Sequence, residues 1–263
     1  MEQITSLQNP RVKQIVQLSK ARERRDQGLV VVEGAREIGL ALEAGYEPEV
    51  IYVCPEIYAK SEYPELLNQI VPSKIKVFTQ AVFEKVAYRE GSDGLIALII
   101  PKEHRLDQLQ LKDNPFIIVL ESVEKPGNLG AVLRTADAAK VDAVVICDPL
   151  TDLYNPNAIR SSVGCLFTVP VAVCSSKECL DWMKSLKIQS FAAELQASEW
   201  YHECDFKGPS AILMGTEADG LTDFWLENAN KRIKIPMRGV IDSLNVSVST
   251  AVLTYEAMRQ RGF

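Results

Sequence analysis

The feature that most constrains the fold is a repeated alternation of short apolar or β-branched runs with longer amphipathic segments. After a polar, helix-prone opening (9–27), the runs 28–33 (GLVVVE), 50–54 (VIYVC), 76–79 and 95–100 (LIALII) read as strands. Helices are expected between them at 35–44, 64–71 and 80–88. The stretch 101–115, PKEHRLDQLQLKDNP, turns polar and charged and reads as a linker. The alternation then resumes more strongly. Strands are expected at 116–121, 143–147, 168–173, 189–193, 211–215 and 232–236, with helices at 128–140, near 156–163, at 177–186 and from about 245 to 261. In the last helix Val248, Ala251, Val252, Tyr255 and Met258 share one apolar face. Alternating βα units predict an α/β fold with a parallel sheet covered on both sides. The domain reading is 1–103 with a basic helical leader, a linker at 104–115, and a second domain at 116–263.

Composition excludes several classes. The 263 residues are 47% hydrophobic and 24% charged, as expected for a globular chain. No apolar stretch approaches the roughly 18 residues needed to cross a bilayer, and no signal-peptide core opens the chain. The six cysteines are scattered without a CxxC pair, and there are only two histidines. That spacing argues against a metal site and for a reducing, cytoplasmic compartment. Net charge is −6, yet residues 1–25 hold six basic side chains against two acidic ones, and 231–263 show the same imbalance. An acidic protein with basic ends suits local contact with a polyanion; the competing reading is solvated helix faces.

Three loops could carry chemistry. Residues 124–130, EKPGNLG, form a glycine-rich turn before a helix, where an anion can bind. They match neither the dinucleotide nor the P-loop pattern. Asn128 occupies an expected N-cap position. Arg134 lies six residues on, so the two converge only if Arg134 reaches back or toward another chain. Glu217, in MGTEADGL (214–221), follows an apolar strand and needs donors: it can cap the next helix or hold an arginine. In IPMRGVIDSLNVS (235–247), either Ser243 or Asn245 caps the last helix and frees the other for a ligand. Gly239 suggests a positive φ or a close approach to a bound molecule.

NLGAVLRTADA (128–138), LMGTEADGL (213–221) and IPMRGVIDSLNVSVSTAV (235–252) resemble, in order, the three motifs of the SpoU/TrmH family of RNA methyltransferases. VVEGAREIGLALEAG (31–45) looks like the substrate-binding domain that precedes many such enzymes. The resemblance implies an α/β SPOUT domain closed by a deep trefoil knot, preceded by a small α/β, ribosomal L30e-like domain. It implies methyl transfer from S-adenosylmethionine to a ribose 2′-hydroxyl of structured RNA, ribosomal ahead of transfer RNA, by a homodimer. It carries a catalytic set onto Asn128, Arg134, Glu217, Ser243 and Asn245. The cofactor set falls on Met214, Gly215, Ile235, Met237, Leu244 and Asn245, with no metal. The alternatives are a base-methylating member of the same superfamily and an inactive RNA-binding module.

Overall fold

A computed structural model of the chain describes residues 2–88, 91–197 and 199–262. It divides into two compact units: Met1–Glu103 with Tyr154–Thr168, and His104–Leu153 with Val169–Phe263.

The first unit is built on a five-stranded sheet. Its strands are β1 (Glu2–Ile4), β2 (Val30–Glu33), β3 (Pro48–Val53), β4 (Ile75–Phe78) and β5 (Leu95–Ile99), in the order β1-β4-β3-β5-β2. Strand β5 runs antiparallel to both β2 and β3, so this sheet is mixed. Helices Pro10–Gln17 and Ala21–Gln27 lie between β1 and β2, the first capped by Asn9 with Pro10 in its first turn. One side of the sheet buries Ile4, Tyr52, Phe78, Phe83 and Leu98 with Val12 and Ile15 of the first helix. The helix expected at 64–71 is replaced by 3₁₀ turns at Leu66–Gln69 and Pro72–Lys74. Pro72 disfavours helical geometry at Val71 and ends any longer run.

Tyr154–Thr168 was expected in the second domain but packs with the first unit. Its helices Pro156–Ser161 and Cys165–Thr168 bury Ala158, Ile159, Leu166 and Phe167. Phe167 sets its ring edge-on to Tyr46 at 5.1 Å, and the Tyr46 and Tyr154 hydroxyls lie 3.1 Å apart. An excursion of the chain thus packs against Tyr46, over a hundred positions earlier.

The second unit holds a seven-stranded sheet in which every pairing is parallel. Its strands are β6 (Phe116–Glu121), β7 (Ala143–Cys147), β8 (Val171–Cys174), β9 (Gln189–Ala193), β10 (Glu199–Trp200), β11 (Ser210–Met214) and β12 (Lys231–Lys234), ordered β10-β12-β9-β11-β6-β7-β8. The near-continuous apolar composition of β6, β7 and β11 follows from burial on both faces. The stretch read as a linker is no free spacer: Leu106, Leu109 and Leu111 pack against the core made by Ile117, Val145, Met183 and Trp225.

The last helix, Val246–Arg261, corrects the expected apolar face. It buries Thr250, Leu253, Thr254 and Ala257, while Val248 and Tyr255 remain 48% and 45% exposed. It packs against the helix Pro126–Ala138 and against β11, and small residues permit that close approach. The apolar stripe at Val248 and Tyr255 is turned outward.

Candidate active site

The carboxyl ends of β9, β11 and β12 open onto a cleft of about 470 Å³. That volume lies within the usual range for small-molecule sites, and strand carboxyl ends are where parallel sheets bind ligands. Met214, Gly215, Ile235, Met237 and Leu244, which the family resemblance assigns to the cofactor, line it. Asn245 does not line it but stands at its rim. Glu194, Leu195 and Gln196, beyond β9, also line the cleft; no motif marked them, because only strand order brings β9 beside β11.

Gly215 makes the turn at the end of β11 possible. A Cβ there would lie 2.0 Å from the Gly220 carbonyl carbon and 2.1 Å from its oxygen. The loop folds back on itself through Thr216 N donating to Gly220 O (2.9 Å) and Asp219 N to Thr216 Oγ1 (3.0 Å). Gly220 takes φ 71° to close it. Gly239, by contrast, has neither a positive φ nor a neighbour within 4 Å of a built Cβ.

The loop is anchored from below. Buried Glu121, ending β6, accepts from Thr222 N (2.8 Å) and Thr222 Oγ1 (2.7 Å) and from Ser176 Oγ (3.4 Å). Trp225 Nε1 donates to the same serine at 3.1 Å. A carboxylate this deep needs such donors.

At the rim the three sequence motifs meet on one carboxylate. Glu217 pairs with the ammonium of Lys125 and accepts from Asn128 Nδ2 at 2.9 Å. Asn245 Nδ2 donates both to Glu217 and, at 3.2 Å, to Asn128 Oδ1. Helix geometry explains the convergence. The cap position before Pro126 belongs to Lys125, so Asn128 sits inside the first turn with its amide unused by the backbone. This corrects its expected N-cap role. Asn245 is the residue that caps the last helix, its Oδ1 accepting from Ser247 N (2.9 Å) and Oγ (2.6 Å). Ser243 remains exposed in the loop, donating to Asp242 Oδ1 at 3.0 Å. Lys125 was missed because a lone lysine before Pro-Gly has no pattern that separates it from a solvated surface charge.

Arg134 is not brought to this network. Six residues along one helix correspond to about 9 Å of rise and a face turned by about 120° from Asn128. Arg134 is exposed, and among the described residues it has no hydrogen-bond or ion-pair partner. The arginine partner considered for Glu217 is therefore a lysine.

Lys125, with help from Asn128, holds the Glu217 carboxyl below its ordinary value of 4.5. A depressed carboxylate contributes stability that is fully present above 4.5 and is lost as the pH falls through the lower folded value. The expected result is a Glu217 side-chain carbon titration by NMR with a midpoint below 4.5, moving back up in Lys125→Met. A midpoint unchanged by that substitution would show that Lys125 does not hold the charge.

The cleft's charge narrows what it can take. Glu194, Glu217, Asp219 and Asp242 line it with Lys234. Even with Lys125 on Glu217 and Arg232 3.6 Å from Glu194, carboxylates outnumber cations. Such a lining disfavours a polyphosphate and suits a ligand that carries positive charge beside apolar surface.

A parallel sheet with a ligand cleft at its carboxyl ends, closed by loops from β6, β11 and β12, defines the class. Residues 115–255 match the SpoU rRNA Methylase family, and the chain belongs to it. Residues 9–97 match the MRM3-like substrate binding domain. Among relatives, the 23S rRNA (guanosine-2′-O-)-methyltransferase RlmB of Shewanella oneidensis is 34% identical over 197 residues, covering 72% of this chain and 79% of that protein. A crystal structure of an RNA 2′-O ribose methyltransferase is 40% identical with TM-score 0.86, covering 98% of this chain and 99% of the other. The SpoU methyltransferase AviRb from Streptomyces viridochromogenes, solved with AdoMet, is 25% identical with TM-score 0.87, covering 97% and 98%. No helix among the described residues is long and apolar enough to cross a membrane.

Proposed function

We propose that this protein transfers a methyl group from S-adenosylmethionine to a ribose 2′-hydroxyl of ribosomal RNA. The observation that carries the reading is the junction of Lys125, Asn128, Glu217 and Asn245 at the rim of the cleft, where the three motifs become one site. The cleft fits the cofactor chemically: Met214, Leu221, Ile235 and Leu244 offer surface to an adenine, and the excess of carboxylates tolerates a sulfonium cation. When bound, S-adenosylmethionine supplies an already activated methyl group.

The chain's own residues then have to place a weakly acidic hydroxyl in line and manage its proton. Asn128 and Asn245, held by Glu217, fix the ribose-side wall of the site, and Ser243 reaches the target nucleotide from the loop before the last helix. Arg134 grips the adjacent phosphate and stabilises the developing alkoxide. Arginine stays protonated, so this role suits it better than that of a base. Because Arg134 faces away from its own Asn128, we assign it to the site of a second subunit. The outward stripe of Val248 and Tyr255, with Val240 and Ile241 exposed nearby in sequence, offers the apolar surface such a homodimer needs. A knotted passage of the segment 235–245 and a cytoplasmic setting belong to the same proposal; the six cysteines are free thiols.

The test is methylation of ribosomal RNA from cells lacking the protein, with labelled S-adenosylmethionine, followed by mass analysis of the digested product. A methyl on the sugar is expected; a methyl on the base, or none, overturns the reading.

The first unit is proposed to grip RNA beyond the target, but not with every basic residue of its leader. Arg24 is buried and donates from Nη1 to Leu18 O (2.8 Å) and Ser19 O (2.9 Å), closing the preceding helix. Arg11 faces Tyr52. Lys13 and Arg25 are exposed. The Lys13→Glu, Arg25→Glu double variant is expected to weaken RNA binding and to flatten its salt dependence by about one unit of log–log slope per side chain. Calorimetry should find S-adenosylmethionine affinity unchanged; an unaltered salt slope would remove this face from the RNA contact.

A further inference from the structure

Three cysteines, Cys174 and Cys179 five residues apart and Cys147 27 residues before Cys174, meet beneath the sheet's carboxyl edge. Cys147 ends β7, Cys174 ends β8 and is its direct register partner, and Cys179 stands in the helix Ser176–Ser185. Their sulfur atoms all lie within 4.8 Å of one another. The scattered spacing gave no reason to expect this, because parallel pairing and one helix turn create the triangle. We propose that Cys147, Cys174 and Cys179 form a three-thiolate site for a thiophilic divalent cation of the zinc type.

Three sulfurs bound at about 2.3 Å to one ion stand roughly 3.8–4.0 Å apart, so sulfurs within 4.8 Å of one another need to close by about 1 Å at most. The backbone at both strand cysteines is already fixed: Cys147 O accepts from Ser122 N (2.8 Å) and Cys174 O from Asp148 N (3.0 Å). The third ligand is fixed by a capped helix, in which Ser175 and Glu178 close a capping box one turn before Cys179. Rigid ligands on three separate elements are what a metal site requires beyond a set of donors. Cys147 and Cys179 are fully buried, while Cys174 is partly open. The partly open corner gives an entry path and room for a water as fourth ligand, leaving the coordination tetrahedral.

Binding replaces the three S–H protons, which leave to solvent as the cation takes three thiolates; no electron is transferred. The resulting site has one net negative charge and so costs less to bury than three separate thiolates. It differs from the RNA and cofactor site in residues and in chemistry. Apolar packing of three small thiols is the competing account.

The test uses the full-length protein, reduced, freed of metal by chelation and titrated with Co²⁺ and then Zn²⁺. The expected result is a thiolate-to-cobalt charge-transfer band saturating at one ion per chain and displaced by zinc, with a zinc-dependent rise in melting temperature. Both signals should vanish in Cys174→Ser, whose position at the partly open corner makes it the mildest change to the core. Both should persist in Cys54→Ser, which lies outside the triangle. Both should also vanish in Cys179→Ala; should that variant fail to fold, Cys174→Ser decides alone. No charge-transfer band, or an equal band in Cys174→Ser, overturns the proposal. So does a chain that after air exposure has lost two hydrogens by mass and binds no metal after reduction, which would mark the cluster as a redox pair.

Discussion

Replacing Arg134 with alanine should lower the rate of methyl transfer by about 10²–10³-fold, the usual loss when one preorganised donor to a developing oxyanion is removed. S-adenosylmethionine affinity should stay nearly unchanged, since Arg134 does not line the cleft. Arg134→Lys should recover only a small part of the rate, because a lysine cannot bond two phosphate oxygens in a fixed plane. Single-turnover methylation with calorimetric cofactor binding separates the two quantities. Turnover close to wild type in Arg134→Ala would sink the assignment. A structural role is disfavoured in advance: the side chain is exposed, and removing it uncovers no buried partner.

Substituting Gly215 by alanine should cost about 10–100-fold in S-adenosylmethionine affinity. The added methyl would sit 2.0 Å from backbone, and backbone cannot rotate away as a side chain can. Overpacking of this kind costs roughly 1–3 kcal/mol, which the loop would meet by opening the Thr216–Gly220 contact that shapes the cleft wall. Gly220→Ala is the milder comparison: its Cβ meets open space, and only the positive φ penalises it, by about 1–2 kcal/mol. Calorimetric affinities should rank wild type, then Gly220→Ala, then Gly215→Ala; wild-type affinity in Gly215→Ala would mean that this turn does not shape the site.

The two variants also test where Arg134 acts. If it serves the neighbouring subunit, mixing Arg134→Ala with Gly215→Ala protein restores activity at a cofactor concentration too low to load Gly215→Ala. A hybrid dimer then has one cofactor site with an intact turn, facing an intact Arg134. No recovery on verified subunit exchange would place Arg134 in its own subunit's site.

Much of this was legible in the chain. The alternation located β2 to β9, β11 and β12 to within a few residues, most sharply where burial on both faces keeps a strand apolar throughout, as in β6, β7 and β11. The cleft-lining loops were legible for a related reason: glycines and small polar residues at strand ends have few other uses in a packed sheet. Short elements escaped. β1 and β10 have too few residues to show a period, and the Leu106, Leu109, Leu111 spacing was masked by the charges around it. In the last helix, residue size misled the reading. Val248 and Tyr255 are the more apolar residues, yet Thr250 and Ala257 are buried, because close packing against a second helix selects small volume over hydrophobicity.

By itself, the amino-acid sequence determined the α/β class, the cleft-forming loops and the family, because periodicity and motif are local properties of the chain. Only the tertiary structure decided which side chains meet. Lys125, Asn128, Glu217 and Asn245 span 120 positions and converge on one carboxylate because β11 inserts beside β6 and the last helix packs on the helix begun at Pro126. The thiols of Cys147, Cys174 and Cys179 gather because β7 pairs with β8 and the helix Ser176–Ser185 follows at once. Contacts between distant residues depend on strand order and register, which no local pattern encodes.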